Sequence, residues 1–374
     1  MLNTNKKICT GCAACVSVCP VKIIKLEDGD CGYKYPVVQE DKCINCNKCN
    51  LICPTNNTKN LIISQRCYAA YTLNRKELLK RTSGGVATEF ANYFLNRGQI
   101  VYGVTYSQDY KSAKHTRVDK KEDLFNIVGT KYVQAEKGNV YEQVVNDLDN
   151  NRKVLFIGLP CEIAAVYNYV KNNRDNLLLC ELVCHGPASP KTLREYVEYL
   201  ENRYKTKISY LNVRYKKNGW ETPYLKATFR SKEEYLKEFY STEYGEAFYL
   251  QGRTSCYECA FKGNQSKADI TIGDYWGISE EDEMYNKEGV SICFCHSEKA
   301  ERVLLELKNL KCQAIKFEDA IKNNDDVIKS RLIHDKTEKF TRIYKTNGLI
   351  KSLFLIKSPV QKVKYLVKII LKRK

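Results

Sequence analysis

The sequence predicts an α+β / α/β protein: a small cysteine-rich unit, then an α/β body with an antiparallel β excursion and a basic helical C-terminal tail. Three observations carry this. Nine of the 18 cysteines lie within the first 53 residues, and eight of these form two copies of one spacing. From Cys67 onward, short β-rich runs alternate with segments of helical periodicity, the pattern of strands joined through helices. From Lys339 to Lys374 there are eleven Lys or Arg and no acidic residue, so much of the formal +17 charge sits in one terminal segment.

The first unit is defined by its cysteines. Cys9, Cys12, Cys15 and Cys19 read C-x2-C-x2-C-x3-C and are closed by Pro20; Cys43, Cys46, Cys49 and Cys53 repeat the run, closed by Pro54. This is the bacterial-type [4Fe-4S] ligand spacing, in which the fourth cysteine of each run serves the other cluster. Three thiolates on a tight loop reach three corners of one cubane, and the proline turns the chain away. Crossing the fourth ligand joins the halves, which assigns Cys9, Cys12, Cys15 and Cys53 to one cluster and Cys43, Cys46, Cys49 and Cys19 to the other. Four-cysteine zinc sites use paired knuckles instead of such triples. Disulfides need an oxidising compartment, and no charged-then-apolar export signal precedes Cys9. Residues 1–62 resemble the two-cluster ferredoxin domain. A long insert, Pro20 to Lys42, separates the halves, and Cys31 within it fits no ligand slot and reads as a structural thiol.

The body follows in order. Tyr68 to Tyr71 reads as a strand, and Ser83-Gly84-Gly85 opens a helix over Val86 to Leu95 that stops at Gly98. Ile100 to Tyr106 alternates as a strand, Ala113 to Val118 is hairpin-like, and a short helix is expected around Glu122 to Phe125. Val140 to Leu148 is a helix leading into a strand at Val154 to Ile157. The turn Gly158 to Cys161 opens a helix from Glu162 to Val170, and Leu177 to Val183 is a buried strand. Pro190 stands at the start of a helix reaching Leu200. Residues 207–250 look like antiparallel strands, and Ala268 to Ile272 is a strand ending in Gly273-Asp274. The domain reading is 1–62, 66–160, 161–338 and a tail at 339–374.

Two features of the body carry chemistry. Bare amides at Ser83, Gly84 and Gly85, with the positive end of a helix dipole, suit a phosphate; helix capping explains Ser-Gly equally well. Cys161 and Cys184 each follow a buried strand, where α/β folds place ligands, and Cys256-x2-Cys259 is a knuckle. Spacing leaves three readings of these four: a further iron-sulfur site, a zinc knuckle completed by His185, or buried thiols. None of His115, His185, His296 and His334 sits in a nucleophile–base arrangement, so hydrolysis has no candidate.

Five stretches, SGGVATEFANYFLNRGQIVYGV (83–104), GTKYVQA (129–135), GLPCEIAAV (158–166), CELVCHGPASPKTLREYV (180–197) and CYECAFKGNQSKADITIGDYWG (256–277), together resemble the coenzyme F420 hydrogenase/dehydrogenase beta-subunit family over roughly residues 66–300. The resemblance implies a flavoprotein holding FAD and an iron-sulfur cluster, similar in chemistry to archaeal F420-reducing subunits and to plant reductases of a chlorophyll precursor. It implies FAD contacts at Ser83, Gly84 and Gly85 and singles out Lys131, Tyr132 and Gln134. A cation such as Lys131 beside a flavin stabilises the reduced anionic ring, its other reading being a surface ion pair. The resemblance also favours a third [4Fe-4S] cluster on Cys161, Cys184, Cys256 and Cys259. Asp269, Asp274 and Trp276 are read as ending one strand on one face, with Asp274 orienting flavin or substrate or capping a turn.

The expected function is an iron-sulfur flavoprotein oxidoreductase of the cytoplasm, passing electrons between clusters, FAD and a two-electron acceptor. Clusters move single electrons, organic acceptors take pairs, and a flavin converts between them. Expected partners are a ferredoxin or a hydrogenase/dehydrogenase subunit and a small-molecule acceptor, with no nucleic acid. Two alternatives remain open: a non-catalytic electron-transfer subunit, and a membrane-surface scaffold of envelope polysaccharide synthesis. The latter draws on residues 359–374, whose apolar positions fall at helical spacing among lysines, as in a helix lying on an anionic membrane or docked on the body. No apolar run approaches the roughly 18 residues that span a bilayer.

Overall fold

The computed structural model describes residues 5–56, 66–263 and 266–362. Its strands are β1 (Ile24–Asp28), β2 (Lys34–Val38), β3 (Arg66–Thr72), β4 (Ile100–Tyr106), β5 (Ala113–Val118), β6 (Val154–Gly158), β7 (Leu177–Leu182), β8 (Ile208–Tyr215), β9 (Tyr224–Phe229), β10 (Glu234–Glu238), β11 (Ile270–Asp274), β12 (Ser291–Cys295) and β13 (Leu310–Ile315). The fold is mixed α+β. One eight-stranded sheet has the order β13-β3-β12-β11-β7-β6-β4-β5, with antiparallel sheets β1-β2 and β10-β9-β8 beside it.

Four central strands, β4, β6, β7 and β11, run parallel, and antiparallel strands flank them. Parallel strands covered on both faces read as continuous apolar runs, which is why Leu177 to Glu181 is buried at every position. On one face Val101, Leu155, Leu178 and Ile270 meet Val86, Phe90 and Phe94 of the helix Val86–Leu95. On the other, Ile100, Phe156 and Leu179 meet Val140, Val144, Ile163 and Val166 of the helices Val140–Asp149 and Pro160–Tyr169. The period-two alternation of strands thus assigns each residue its face.

The insert between the cysteine runs is the β1-β2 hairpin. Cys31, at its turn with φ 59°, is buried with Tyr33 and Tyr35 in the core formed by β8, β9 and the helix Pro190–Tyr204. The hairpin tip is therefore plugged into the body.

The structure corrects several expectations. Residues 207–250 are not all strand, because Glu243–Leu250 is a helix capped by the Thr242 hydroxyl. The short helix expected at Glu122 to Phe125 is a 3-10 turn over Lys121–Asn126. The first part of the expected tail is no tail. Helices Thr337–Asn347 and Leu349–Leu355 bury Phe340, Tyr344, Leu349 and Leu353 in the body's core. Most of the 359–374 segment, from residue 363 on, lies outside the described residues. Among the described residues no helix is long and apolar enough to cross a membrane.

Gly84 illustrates how packing dictates a residue. A Cβ there would stand 2.3 Å from Ala70 O and 2.7 Å from Ser291 N, and its carbonyl accepts from Thr72 N at 2.8 Å. Gly84→Val is expected to cost about 3 kcal/mol or more, because strand backbone has no room to yield. Thermal denaturation checks this. A variant of unchanged stability that had lost only flavin would restore the phosphate-loop reading.

Candidate functional site

The parallel strands end together, and several of the candidate groups collect along that edge. In sheet order it carries Ser83 to Gly85 beside β3, Ser291 at the start of β12, Asp274 at the end of β11, Cys184 beyond β7 and Cys161 beyond β6. With strands roughly 4.8 Å apart, Asp274 and Cys161 stand about two spacings, ~10 Å, from each other.

The N-terminal cysteines form two groups. Cys15 lies within electrostatic reach of Cys9, Cys12 and Cys53, and burial pushes the Cys12 thiol up to about 11. Cys19, Cys43, Cys46 and Cys49 line a separate cavity of about 180 Å³ with Cys46 exposed, whereas Cys12 is buried. Cys15 also lies within electrostatic reach of Cys49, so the two groups, an inner and an outer one, adjoin. The donor chemistry fits a cubane in each. Among the described residues no trio of His, Cys, Asp or Glu is spaced to grip a single metal ion. A cubane holds its thiolates further apart than one ion does.

Side chains of the body seat the inner set. Tyr141 donates to Cys12 O at 2.5 Å, Gln134 Nε2 to Thr10 O at 3.2 Å, and Arg253 Nε to Cys9 O at 2.7 Å. Gly11, at φ +70°, lets this loop close: a Cβ would lie 2.3 Å from Gln134 Nε2.

Cys161, Cys184, Cys256 and Cys259 also converge. Cys161 is in electrostatic contact with Cys184, Cys259 and the inner-set Cys12, and Cys184 with Cys256 and Cys259. Burial raises these thiols, Cys256 to about 11 and Cys184 to about 12, while Lys262, Arg253 and Arg331 pull the Cys256 thiol back down. Lys262 donates to Cys184 O at 2.5 Å, and Cys256 N to Arg253 O at 2.8 Å. These cations offset part of the burial cost of a thiolate, the form that ligates iron. His185 Nδ1 is paired with Asp326 Oδ1 at 2.9 Å, the kind of carboxylate contact that also orients a ligating histidine, so this bond leaves the zinc-knuckle alternative as it stood. Behind Cys161, Glu162 is buried with Lys137 Nζ at 2.6 Å and His115 Nε2 at 3.2 Å, a network that fixes the start of that helix and leaves His115 Nδ1 buried without a hydrogen-bond partner among the described residues.

The residues expected to touch flavin divide. Lys131 is no surface ion pair. It is buried, donates to Val128 O and Gly129 O at 2.9 and 3.1 Å, and is drawn down to about 7 by burial. Its loop adjoins Ser83 through the Thr82–Thr130 hydroxyl contact at 2.9 Å. The Gly84 amide is taken by Ser291 Oγ at 3.0 Å, and Ser83 Oγ by Val290 O, so neither stands open as a phosphate donor. Gly85 keeps its place as N-cap at φ 84°. Gln134 belongs to the cluster loop, with its amide spent on Thr10, Gly11 and Arg253. Asp269 and Asp274 lie at opposite ends of β11, not on one end; Asp269 caps Leu179 N and pairs with Lys299 at 3.2 Å.

What gathers Ser83, Tyr132 and Asp274 is a pair of cations that sequence reasoning missed. Arg214 Nη1 meets Asp274 Oδ2 at 2.5 Å, and Lys216 Nζ donates to Ser83 O and Leu78 O at 2.8 Å. Arg214 lies on β8 and Lys216 just past its end, in a segment whose alternation showed a strand but no chemistry. Among the described residues Arg214 Nη2, Asp274 Oδ1 and Trp220 Nε1 are buried without hydrogen-bond partners of normal geometry, and the Tyr132 phenol lies against the guanidinium, which draws it down against the effect of burial. Trp220 stacks on Trp276 at 4.8 Å and 12°. Burial draws Lys216 down to about 7. Flat rings beside unspent donors and an unspent carboxylate fit a planar, hydrogen-bonding, anionic ligand such as a flavin.

Comparison with known proteins follows this geometry. Residues 8–57 match the 4Fe-4S dicluster domain, 67–140 the coenzyme F420 hydrogenase/dehydrogenase beta subunit N-terminal domain, and 151–321 its C-terminal counterpart. No curated protein matches the sequence. Among solved structures, a chain of the F420-reducing [NiFe] hydrogenase complex from Methanosarcina barkeri is similar, with 18% identity and a TM-score of 0.50 over 77% of this chain and 95% of that one.

Proposed function

This chain belongs to the coenzyme F420 hydrogenase/dehydrogenase beta-subunit family, with a 4Fe-4S dicluster domain ahead of the family's two domains, and from that premise we propose a relay that ends in a flavin. It is an iron-sulfur electron-transfer subunit of that type. In the proposal, electrons enter at the outer set (Cys19, Cys43, Cys46, Cys49) and cross the inner set (Cys9, Cys12, Cys15, Cys53). They continue to a third cluster on Cys161, Cys184, Cys256 and Cys259 and collect on FAD between Trp276, Tyr132 and Arg214, for delivery in pairs. The observation that carries this reading is the position of the third cysteine group, within electrostatic reach of Cys12 on one side and on the strand next to that of Asp274 on the other.

The protein's own residues have definable tasks in it. Cys46, exposed beside the exposed apolar side chains Val21, Ile44 and Leu51, offers the entry surface for a one-electron carrier or a partner subunit of the hydrogenase or dehydrogenase kind. Lys216, close to neutral on its own, takes a proton when an anion arrives. Arg214 and Asp274 offer one unspent donor and one unspent acceptor. FAD, when bound, supplies the conversion between single electrons and pairs.

Anaerobic purification with iron, sulfide and flavin measured on one sample tests the reading. About twelve iron atoms and one FAD per chain are expected for three clusters. About eight irons without flavin would leave a dicluster relay whose acceptor site lies on another subunit.

A further inference from the structure

Arg253 is the most deeply committed cation in the molecule, at 1% exposure. Among the described residues it makes no ion pair with a carboxylate. A buried guanidinium without a counter-charge is costly, so its compensation lies in what it touches. Its Nε donates to Cys9 O at 2.7 Å, its Nη2 to Cys9 Sγ at 3.3 Å and its Nη1 to Gln134 Oε1 at 3.3 Å. The plane lies 4.0 Å from the Tyr35 ring centroid. Its own carbonyl meanwhile holds Cys256 N, and the neighbouring Ser255 hydroxyl donates to Cys9 O at 2.9 Å.

One residue therefore joins two ligand loops. Side chain and backbone act together, and Gln134, fixed on Thr10 O and Gly11 O, keeps the fork aimed. Among the described residues no buried cation donates to a sulfur of the outer set, and the cation lining its cavity is Lys48, which is exposed.

We propose that Arg253 is the fixed counter-cation of the inner N-terminal cluster and places that cluster's potential above the outer one, so that electrons run inward from the exposed Cys46 side. The physics is direct. A cubane on four thiolates carries net negative charge that grows by one on reduction. A buried cation donating to one of its sulfurs stabilises the reduced state more than the oxidised state. Water screens any similar effect of Lys48. The step is a one-electron exchange: the outer cluster is oxidised by one electron and the inner reduced by one, with no proton or atom moved. The reductant that reloads the outer cluster is a one-electron carrier protein. The inference rests on the crossed ligand sets of the proposed relay. It makes Arg253 a positioning residue for electron flow.

Redox titration of the whole protein, followed by electron paramagnetic resonance with iron counted on the same sample, tests it. Cys46→Ser marks the outer signal. In the unaltered protein the inner midpoint is expected above the outer. Arg253→Met should lower the inner midpoint by at least a tenfold change in the inter-cluster equilibrium, about 59 mV for a one-electron couple, and leave the outer unmoved. Arg253→Lys should restore part of the shift, and Ser255→Ala should move neither. An outer midpoint equal to or above the inner one in the unaltered protein overturns the proposal, whatever the variants do. So does an Arg253→Met shift shared equally by both clusters, or reproduced by Ser255→Ala. Should Arg253→Met fail to assemble, the unaltered order and the Lys variant decide. Iron short of about eight atoms in the unaltered protein would instead bring down the cluster sets themselves.

Discussion

Cys259→Ala is expected to take the iron content from about twelve atoms per chain to about eight and to stop electrons from reaching flavin, while both N-terminal clusters stay assembled. The locality of the effect follows from the fold. Cys259 is held by its amide to the Ser330 hydroxyl at 2.9 Å. Inner-loop seating depends on Tyr141, Gln134 and Arg253, which this change leaves alone. With the relay interrupted, a reduced one-electron donor should still bleach the N-terminal clusters, yet flavin reduction should slow by orders of magnitude. Iron analysis and stopped-flow absorbance read the two effects separately. Twelve irons retained would remove Cys259 from the ligand set. Eight irons with undiminished flavin reduction would mean that electrons bypass the third site.

How much of this was visible in the sequence depended on whether the relevant contact was local. The cysteine runs carry their geometry in their spacing, and the strands β4, β6 and β7 in their apolar runs. Ser83-Gly84-Gly85 misled because a glycine that admits a phosphate and one that admits a neighbouring strand look identical in sequence. Only Ala70 O at 2.3 Å from a Cβ position distinguishes them. The aromatic content of Glu243–Leu250 suggested strand, and tertiary packing of Tyr244 and Phe248 overrode it. Gln134 was noticed for the right segment and given the wrong neighbour, since its bonds span more than 120 positions. Arg214, Lys216 and Arg253 gave no signal at all. A lone basic residue at a strand or loop position is ordinary, and nothing short of the fold shows that these three are buried.

Arg214→Met is expected to abolish flavin retention, and the arrangement around Arg214 allows binding to be separated from folding. Taken alone, the change leaves Asp274 buried without its cation, a loss on the order of 3–5 kcal/mol, enough to confuse reduced affinity with a damaged fold. Asp274→Leu together with Arg214→Met removes both charges, and replacing a buried pair with apolar side chains is often neutral for stability. The double variant should therefore recover the unaltered melting temperature and still fail to hold flavin. The unspent Nη2 and Oδ1 that face the ligand position are gone in it. The Trp220–Trp276 stack and Lys216 remain, so any residual affinity measures what the rings and one distant cation contribute. Flavin fluorescence after gel filtration, beside a calorimetric melt, gives both numbers. A double variant that folds and keeps full flavin would move the cofactor away from β8, and the Arg214–Asp274 pair would then be a structural bridge between the three-stranded sheet and the end of β11.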